Sequence, residues 1–346
     1  MPRPQVAARR SRRTTAGLPL DHGRAPGYGS GVAVLEISDL IVAWDPDTRA
    51  RRPILAADVV GRLRAAGDHR AARIVRRIPA SDGVLEPESV DRLLVRAHTE
   101  LQRLGEELHM VQRFVELLRP MLDAARSAGS RGLRVVDIGC GVGHVVRALA
   151  ANGALGADVE LLGVDLNPVL IAEASRLAAD EGLRCDFLCA DGFSLAEEAT
   201  VYISSGVLHH IPGEDGLADF FRAQDRPGTA GFIHYDIAAT RLAPVGAWVF
   251  HRARMREPLG RHDGVASARR AHGDRALISA AGRAAGMDVF LFAPARHTNP
   301  FCAGMRPVLG IRPELVSGLQ QGLGRRARAL VGAGGLRPTP LVRADG

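Results

Sequence analysis

The sequence predicts an α/β protein built on a mostly parallel, doubly wound sheet and preceded by a helical extension. From Leu133 onward, short apolar runs alternate with helical patterns, which means a parallel sheet covered on both faces. The first run hands over to a helix through a glycine-rich turn, VVDIGCGVGHVV, at Val135 to Val146. Upstream, from about Gly31 to Ser130, the pattern is helical.

Seven strands are expected: 133–138, 159–164, 185–189, 201–204, 231–235, 289–292 and 308–311. Helices are expected at 144–151, stopped by Gly153, and at 168–181, 216–223 and 275–285. In the extension, 56–66 and 71–78 read as short amphipathic helices with Gly67 and Pro79 as stops. A longer helix starts near Glu86. Its apolar residues Leu94, Ala97, Leu101, Leu104, Leu108, Val111, Val115, Leu118 and Leu122 are spaced by threes and fours, a heptad seam. That seam serves as a cover for the following domain or as a homodimer interface. Pro120 should kink the helix, since proline lacks the N–H for its helical bond. The expected organisation is a basic tail over 1–30, a helical cover over 31–129, the α/β domain over 130–316 and a loose tail over 317–346.

Composition narrows the chemistry. All 45 basic residues are arginine, which excludes Schiff-base catalysis and a phosphate-loop lysine. The net charge of +7 is concentrated in the first 24 residues, with six arginines against one acid. It therefore marks a tail and not a nucleic-acid surface. Cys140, Cys185, Cys189 and Cys302 form no CxxC pair, and no metal-ligand pattern is present; buried reduced thiols are expected. No run reaches the ~20 apolar residues of a membrane span, and RSRRTT lacks the apolar segment of an export signal. The expectation is a soluble, cytoplasmic protein with neither nucleic-acid nor membrane partners.

Ligands of doubly wound sheets sit where the first strand turns into its helix. Glycines there permit positive φ and close approach to backbone N–H groups. A dinucleotide turn, GxGxxG, has its third glycine where this chain has His144. Asp137 would also repel a pyrophosphate and hold a cationic ammonium. The turn favours a ligand with an amino-acid end.

In this respect the chain resembles the class I S-adenosylmethionine-dependent methyltransferases of small-molecule type, such as those of quinone and natural-product pathways. Four motifs carry the resemblance in order: DIGCGVG, GVDLNP, CADGF and SSGVLHHIP. It implies a Rossmann-like sheet whose last strand is antiparallel, and S-adenosylmethionine as cofactor. It implies that Asp137, Gly139, Cys140, Gly141 and Gly143 pass beneath the methionine part. Asp165, with Leu166 and Asn167, would hold the ribose, and a carboxylate suits that diol because it accepts two hydrogen bonds. Asp191, Gly192 and Phe193 would meet the adenine, while Ser205 and Gly206 would border the methyl group.

His209 and His210, at the mouth of the fourth strand, and Asp236, ending the fifth, are the candidate catalytic residues. A base is needed where the acceptor atom carries a proton. His234 reads as a packed core histidine. No NPPY-like or Pro-Cys motif of nucleic-acid methylation occurs. The insertion from Arg241 to Arg275 holds eight arginines against three acids. Read as a lid, it would suit an anionic small-molecule acceptor, with Arg256, His262 and Arg269 as substrate residues. The alternative is a solvated helix face. For the whole chain, the alternative reading is a non-catalytic methyltransferase-fold binding module.

Overall fold

The computed structural model describes residues 34–45, 48, 50–284, 286–293 and 304–332. The expectations for residues 1–30, Cys302 and 333–346 lie outside them. An N-terminal layer comes first: α1 (Ser38–Ile41), α2 (Ala56–Ala65), α3 (His69–Val75), a hairpin of β1 (Ala80–Ser81) and β2 (Val84–Leu85), and α4 (Pro87–Glu107). Asp68 caps α3 by accepting from Ala71 N–H, and Pro87 opens α4, where a missing N–H costs nothing. The layer closes its own core around Ile37, Leu63, Val75 and Val90. It docks through Val142, Leu170 and Leu259 of the elements that follow.

Those elements are α5 (Met110–Ser127), β3 (Leu133–Ile138), α6 (His144–Asn152), β4 (Val159–Asp165), α7 (Pro168–Asp180), β5 (Asp186–Cys189), β6 (Val201–Ser205), α8 (Gly213–Arg222) and β7 (Gly231–Ile237). After them come α9 (Ala243–Arg254), α10 (Pro258–Arg270), α11 (Asp274–Ala281), β8 (Asp288–Phe292), β9 (Met305–Ile311), α12 (Val316–Leu323) and β10 (Leu330–Gly332). The sheet order is β10-β8-β9-β7-β6-β3-β4-β5. β7, β6, β3, β4 and β5 run parallel, whereas β9 is antiparallel to both its neighbours.

Successive side chains of a strand face opposite ways, and the two cores show it. Val135, Val201, Ile203 and Ile233 pack on one face with Phe114 and Leu117 of α5 and Leu149 of α6. Val136, Tyr202 and Phe232, one residue out of step, pack on the other with Phe221 of α8 and Leu277 of α11. The chain order reverses beside β3, between β4 and β6, so the crevice for a ligand opens at the carboxyl ends of β3 and β6.

Three expectations are corrected. The sheet has eight strands, not seven. The supposed loose tail after 316 supplies the difference: β10 pairs antiparallel with β8, and α12 buries Leu319 and Leu323 against α5. Its high Arg and Gly content hid a short amphipathic helix. Gly318 and Gly322 are the contact points, because a Cβ on either would strike Ala124 or Pro120.

The long helix is two helices, and the break falls at His109, not at Pro120. His109 sits in the left-handed region at φ 53°, while Pro120 lies buried within α5. The two halves have different partners: α4 packs on α7 and α10, α5 on α6, α12 and β7. One straight rod cannot serve both. The heptad seam is used inside the chain, with Leu94, Leu104, Val111, Leu118 and Leu122 buried. Cys140, Cys185 and Cys189 are half-buried, not buried as expected. No described helix is long and apolar enough to cross a membrane.

If α12 is structural, Leu319→Ala should destabilise the fold by about 2–5 kcal/mol, the usual range for a buried leucine. Urea denaturation measures this, and an unchanged midpoint would return the segment to the status of a tail.

Candidate functional site

The glycine turn between β3 and α6 places Gly139 and Gly141 at φ 72° and 55°, where residues with a Cβ are strained. Gly143 has a different role. A Cβ on it would meet Phe187 at 2.5 Å, so it lets α6 sit close on the sheet. The turn is tied to β4 by Asp165, whose carboxylate accepts from Gly141 N–H and Asn167 N–H, each at 2.9 Å. Asn167 then caps α7 through Val169 N–H. Asp191, after β5, accepts from Phe193 N–H at 3.0 Å.

These strand ends line one cavity of about 1960 Å³. A pocket for a single small ligand measures roughly 300–1,000 Å³, so the cavity has room for two. Of the residues expected at the cofactor, all but Gly143 line it. Asp137 is 2% exposed, and its Oδ1 has no hydrogen-bond partner among the described residues. Burial, with the charge of Asp165 adding to it, pushes the Asp137 carboxyl up to about 8. It is an acceptor waiting for a donor, and a cationic ammonium fits that need. The glycine turn, the carboxylate at Asp165 and this orphan acceptor together suit an amino-acid-bearing nucleoside.

The opposite end of the cavity is built around His209. It is 5% exposed and lies in a single 3₁₀ turn after β6. Its Nδ1 is 2.9 Å from Asp236 Oδ1, and its own N–H donates to Asp236 Oδ2 at 3.1 Å. Burial alone would raise the Asp236 carboxyl, but His209 and the backbone donors hold it below the usual range. An ionised carboxylate only accepts, so Nδ1 carries a proton, and in the neutral tautomer Nε2 is the nitrogen that presents a lone pair. His210 packs against His209 with ring centroids 4.3 Å apart. Desolvation opposes its charge, yet Glu36 and Asp39 raise it to about 9. His234 lies in the core as expected, bonded to Ser204 and Gln224 and pushed down to about 3 by burial.

The insertion forms α9 and α10 and borders the cavity, but the three candidate substrate residues do not line it. Arg256 and Arg269 are exposed. His262 is spent on structure, bridging Asp263 and Asp68 at 2.7 Å each. Arg270 does line the cavity, next to Asp39 and Glu36. At the junction of α4 and α5, Met110 lines the cavity, whereas His109 and Arg113 do not. Arg113 turns away, stacking over the Tyr235 ring at 4.8 Å.

Two residues were missed. Glu36 is 2% exposed, and a glutamate between Leu35 and Ile37 in the otherwise largely apolar run VAVLEISDL was the available signal. His98 of α4 lies over the glycine turn, where a Cβ on Gly141 would meet its ring at 2.8 Å.

Residues 135–227 match the family described as "Methyltransferase domain". That match is to a methyltransferase domain and covers about a quarter of the chain. S-adenosylmethionine is the cofactor of that family. Over 148 residues the chain is 31% identical to a ubiquinone biosynthesis O-methyltransferase of Xylella fastidiosa, covering 40% of this chain and 58% of that protein. Over 140 residues it is 30% identical to the enzyme of the same description from Coxiella burnetii, covering 38% and 56%. The chain thus spans a little over half the length of these curated relatives. A magnesium protoporphyrin IX methyltransferase from Synechocystis, solved with SAH bound, superposes with a TM-score of 0.40 at 18% identity, over 74% of this chain and 99% of that one.

The methyltransferase domain makes a proton-linked prediction. Below about pH 8 the Asp137 carboxyl holds a proton, which an ammonium facing it would displace. S-adenosylmethionine should therefore bind more tightly as pH rises towards 8 and release a proton on binding. Calorimetry in buffers of different protonation enthalpy reads that release directly. Heats independent of buffer would remove the ammonium from Asp137.

Proposed function

We propose that this protein transfers a methyl group from S-adenosylmethionine to a hydroxyl oxygen of a small, largely apolar acceptor. One observation carries the reading: the glycine turn with its orphan Asp137 and His209, held from behind by Asp236, face the same cavity, which has room for two ligands. When bound, the cofactor supplies a sulfonium that makes its methyl group electrophilic. The chain's residues hold the acceptor in line with it and exclude water.

Asp165 and Asn167 would fix the ribose, Asp191 and Phe193 the adenine, and Asp137 the ammonium. On the acceptor side, His209 presents Nε2 where a hydroxyl must ionise before it attacks, and Asp236 is its positioning residue. The relatives named O-methyltransferases support oxygen as the acceptor atom. Apolar lining by Leu35, Val42, Trp44, Leu101, Leu104 and Phe250 supports an acceptor with a hydrophobic body. It replaces the anionic acceptor expected from the arginine-rich insertion, since Arg256 and Arg269 are exposed on its surface.

Two variants test this. Asp165→Ala should weaken S-adenosylmethionine binding by about 2 kcal/mol or more, through lost charge-assisted bonds and a loosened turn. His209→Ala should leave that affinity intact and lower kcat by roughly 10²-fold or more, followed as S-adenosylhomocysteine release over a panel of phenols. Cofactor binding without turnover on any acceptor would favour the binding-module reading.

A further inference from the structure

We propose that Glu36, His209 and His210 form a binding site for one divalent transition-metal cation at the acceptor end of the cavity. The proposal rests on reading that end as the acceptor site, and in it the His209 lone pair binds the cation in place of taking the hydroxyl proton.

The donor set is the first argument. One ligand atom from each residue lies within 4.8 Å of the other two. His209 Nε2 is 3.9 Å from Glu36 Oε1, and His210 Nδ1 is 3.7 Å from Glu36 Oε2. Bonds of about 2.0–2.1 Å would set tetrahedral ligand atoms about 3.4 Å apart, so each of these two histidine–carboxylate distances exceeds that spacing by about half an ångström or less. Two imidazoles and a carboxylate suit zinc, cobalt or iron over magnesium or calcium.

The second argument is orientation. A metal-ligating histidine almost always donates its other ring N–H to a carboxylate or carbonyl, which fixes the tautomer. Asp236 does this for His209 at 2.9 Å. Glu36 is oriented as well: Ser267 Oγ donates to Oε1 at 3.1 Å and Arg270 lies 3.1 Å from the same oxygen. Its Oε2 has no hydrogen bond among the described residues and faces His210.

Charge is the third. Arg270 lies against Glu36 and Asp39, and Asp236 is bonded to His209, so three carboxylates stand beside the two histidines. One divalent cation would answer them without placing two imidazolium charges on rings 4.3 Å apart.

Glu36, His209 and His210 all line the cavity, so a fourth position would face the acceptor. A hydroxyl coordinated there gives its proton to water. The oxyanion then forms the new C–O bond as the C–S bond breaks, and the electron pair stays on sulfur.

The test titrates Co²⁺ into the full chain, purified without an affinity tag and stripped with chelator. The expected result is visible d–d absorption saturating at one equivalent and abolished by one equivalent of Zn²⁺. Glu36→Gln and His210→Asn, each checked for an unchanged melting temperature, should weaken Co²⁺ at least 10-fold. Asp236→Asn should weaken it about 10–100-fold through His209. His69→Ala, an exposed histidine elsewhere, should change nothing. No absorption in the wild type, or equal affinity in Glu36→Gln and His210→Asn, overturns the site. Calorimetry with S-adenosylmethionine on the same samples separates the two readings: intact cofactor binding beside absent Co²⁺ binding refutes only the metal, whereas absent cofactor binding refutes the methyltransferase.

Discussion

A carboxylate taken out of water must find a proton, a cation or several donors. Three such carboxylates, Asp137, Asp236 and Glu36, lie at the cavity or behind a residue that lines it, and each is answered differently. Asp137 Oδ1 has no hydrogen-bond partner among the described residues, and burial pushes its carboxyl up to about 8. Asp236 has His209 and backbone N–H groups and stays ionised. Glu36 has Ser267, Arg270 and two histidines. These three solutions divide the cavity. The end that lacks a cation is where a cationic ligand belongs, and the end already crowded with charge is where a proton can be moved.

The backbone that holds these groups follows from one further carboxylate. Asp165 ends β4, yet it bonds the N–H of Gly141 in the preceding turn and of Asn167 in the following one. The turns that lead into α6 and α7 are thereby fixed to each other. Positive φ at Gly139 and Gly141 is the local cost, about 1 kcal/mol per glycine in chain entropy. Its return is a set of backbone N–H groups facing the crevice at the start of α6.

The parallel part of the sheet was legible because its signal is local. An apolar strand, a turn and an amphipathic helix each announce themselves within a dozen residues, and so do the motifs at strand ends. What was hidden depends on partners far away in the chain. Nothing near Pro120 says that Gly322 will pack on it, or that the helix will break at His109. His262 looked like a substrate ligand because its bridge to Asp68 spans 194 residues of chain. Glu36 meets its histidines across a similar distance. Arginine content misled twice, by disguising α12 as a tail and by suggesting an anionic acceptor where the exposed arginines of α9 and α10 face away from the cavity.

The N-terminal layer therefore belongs to the site. Residues 135–227, which match the family, contain the glycine turn, Asp165, Asp191 and both histidines. They do not contain Glu36, His98, Trp44, Asp236 or Phe250, all of which line the same cavity or bond a residue that does. The family segment holds the elements suited to a cofactor, and the flanking segments close the space beside them. Asp263 of α10 accepts from the N–H groups of Ile37 and Ser38, each at 2.9 Å, so the segment carrying Glu36 is held by the insertion. Extension and insertion thus depend on each other, and neither would place its residues against His209 alone. A chain of this design can keep its cofactor chemistry while changing its acceptor, because the two are encoded in different stretches of sequence.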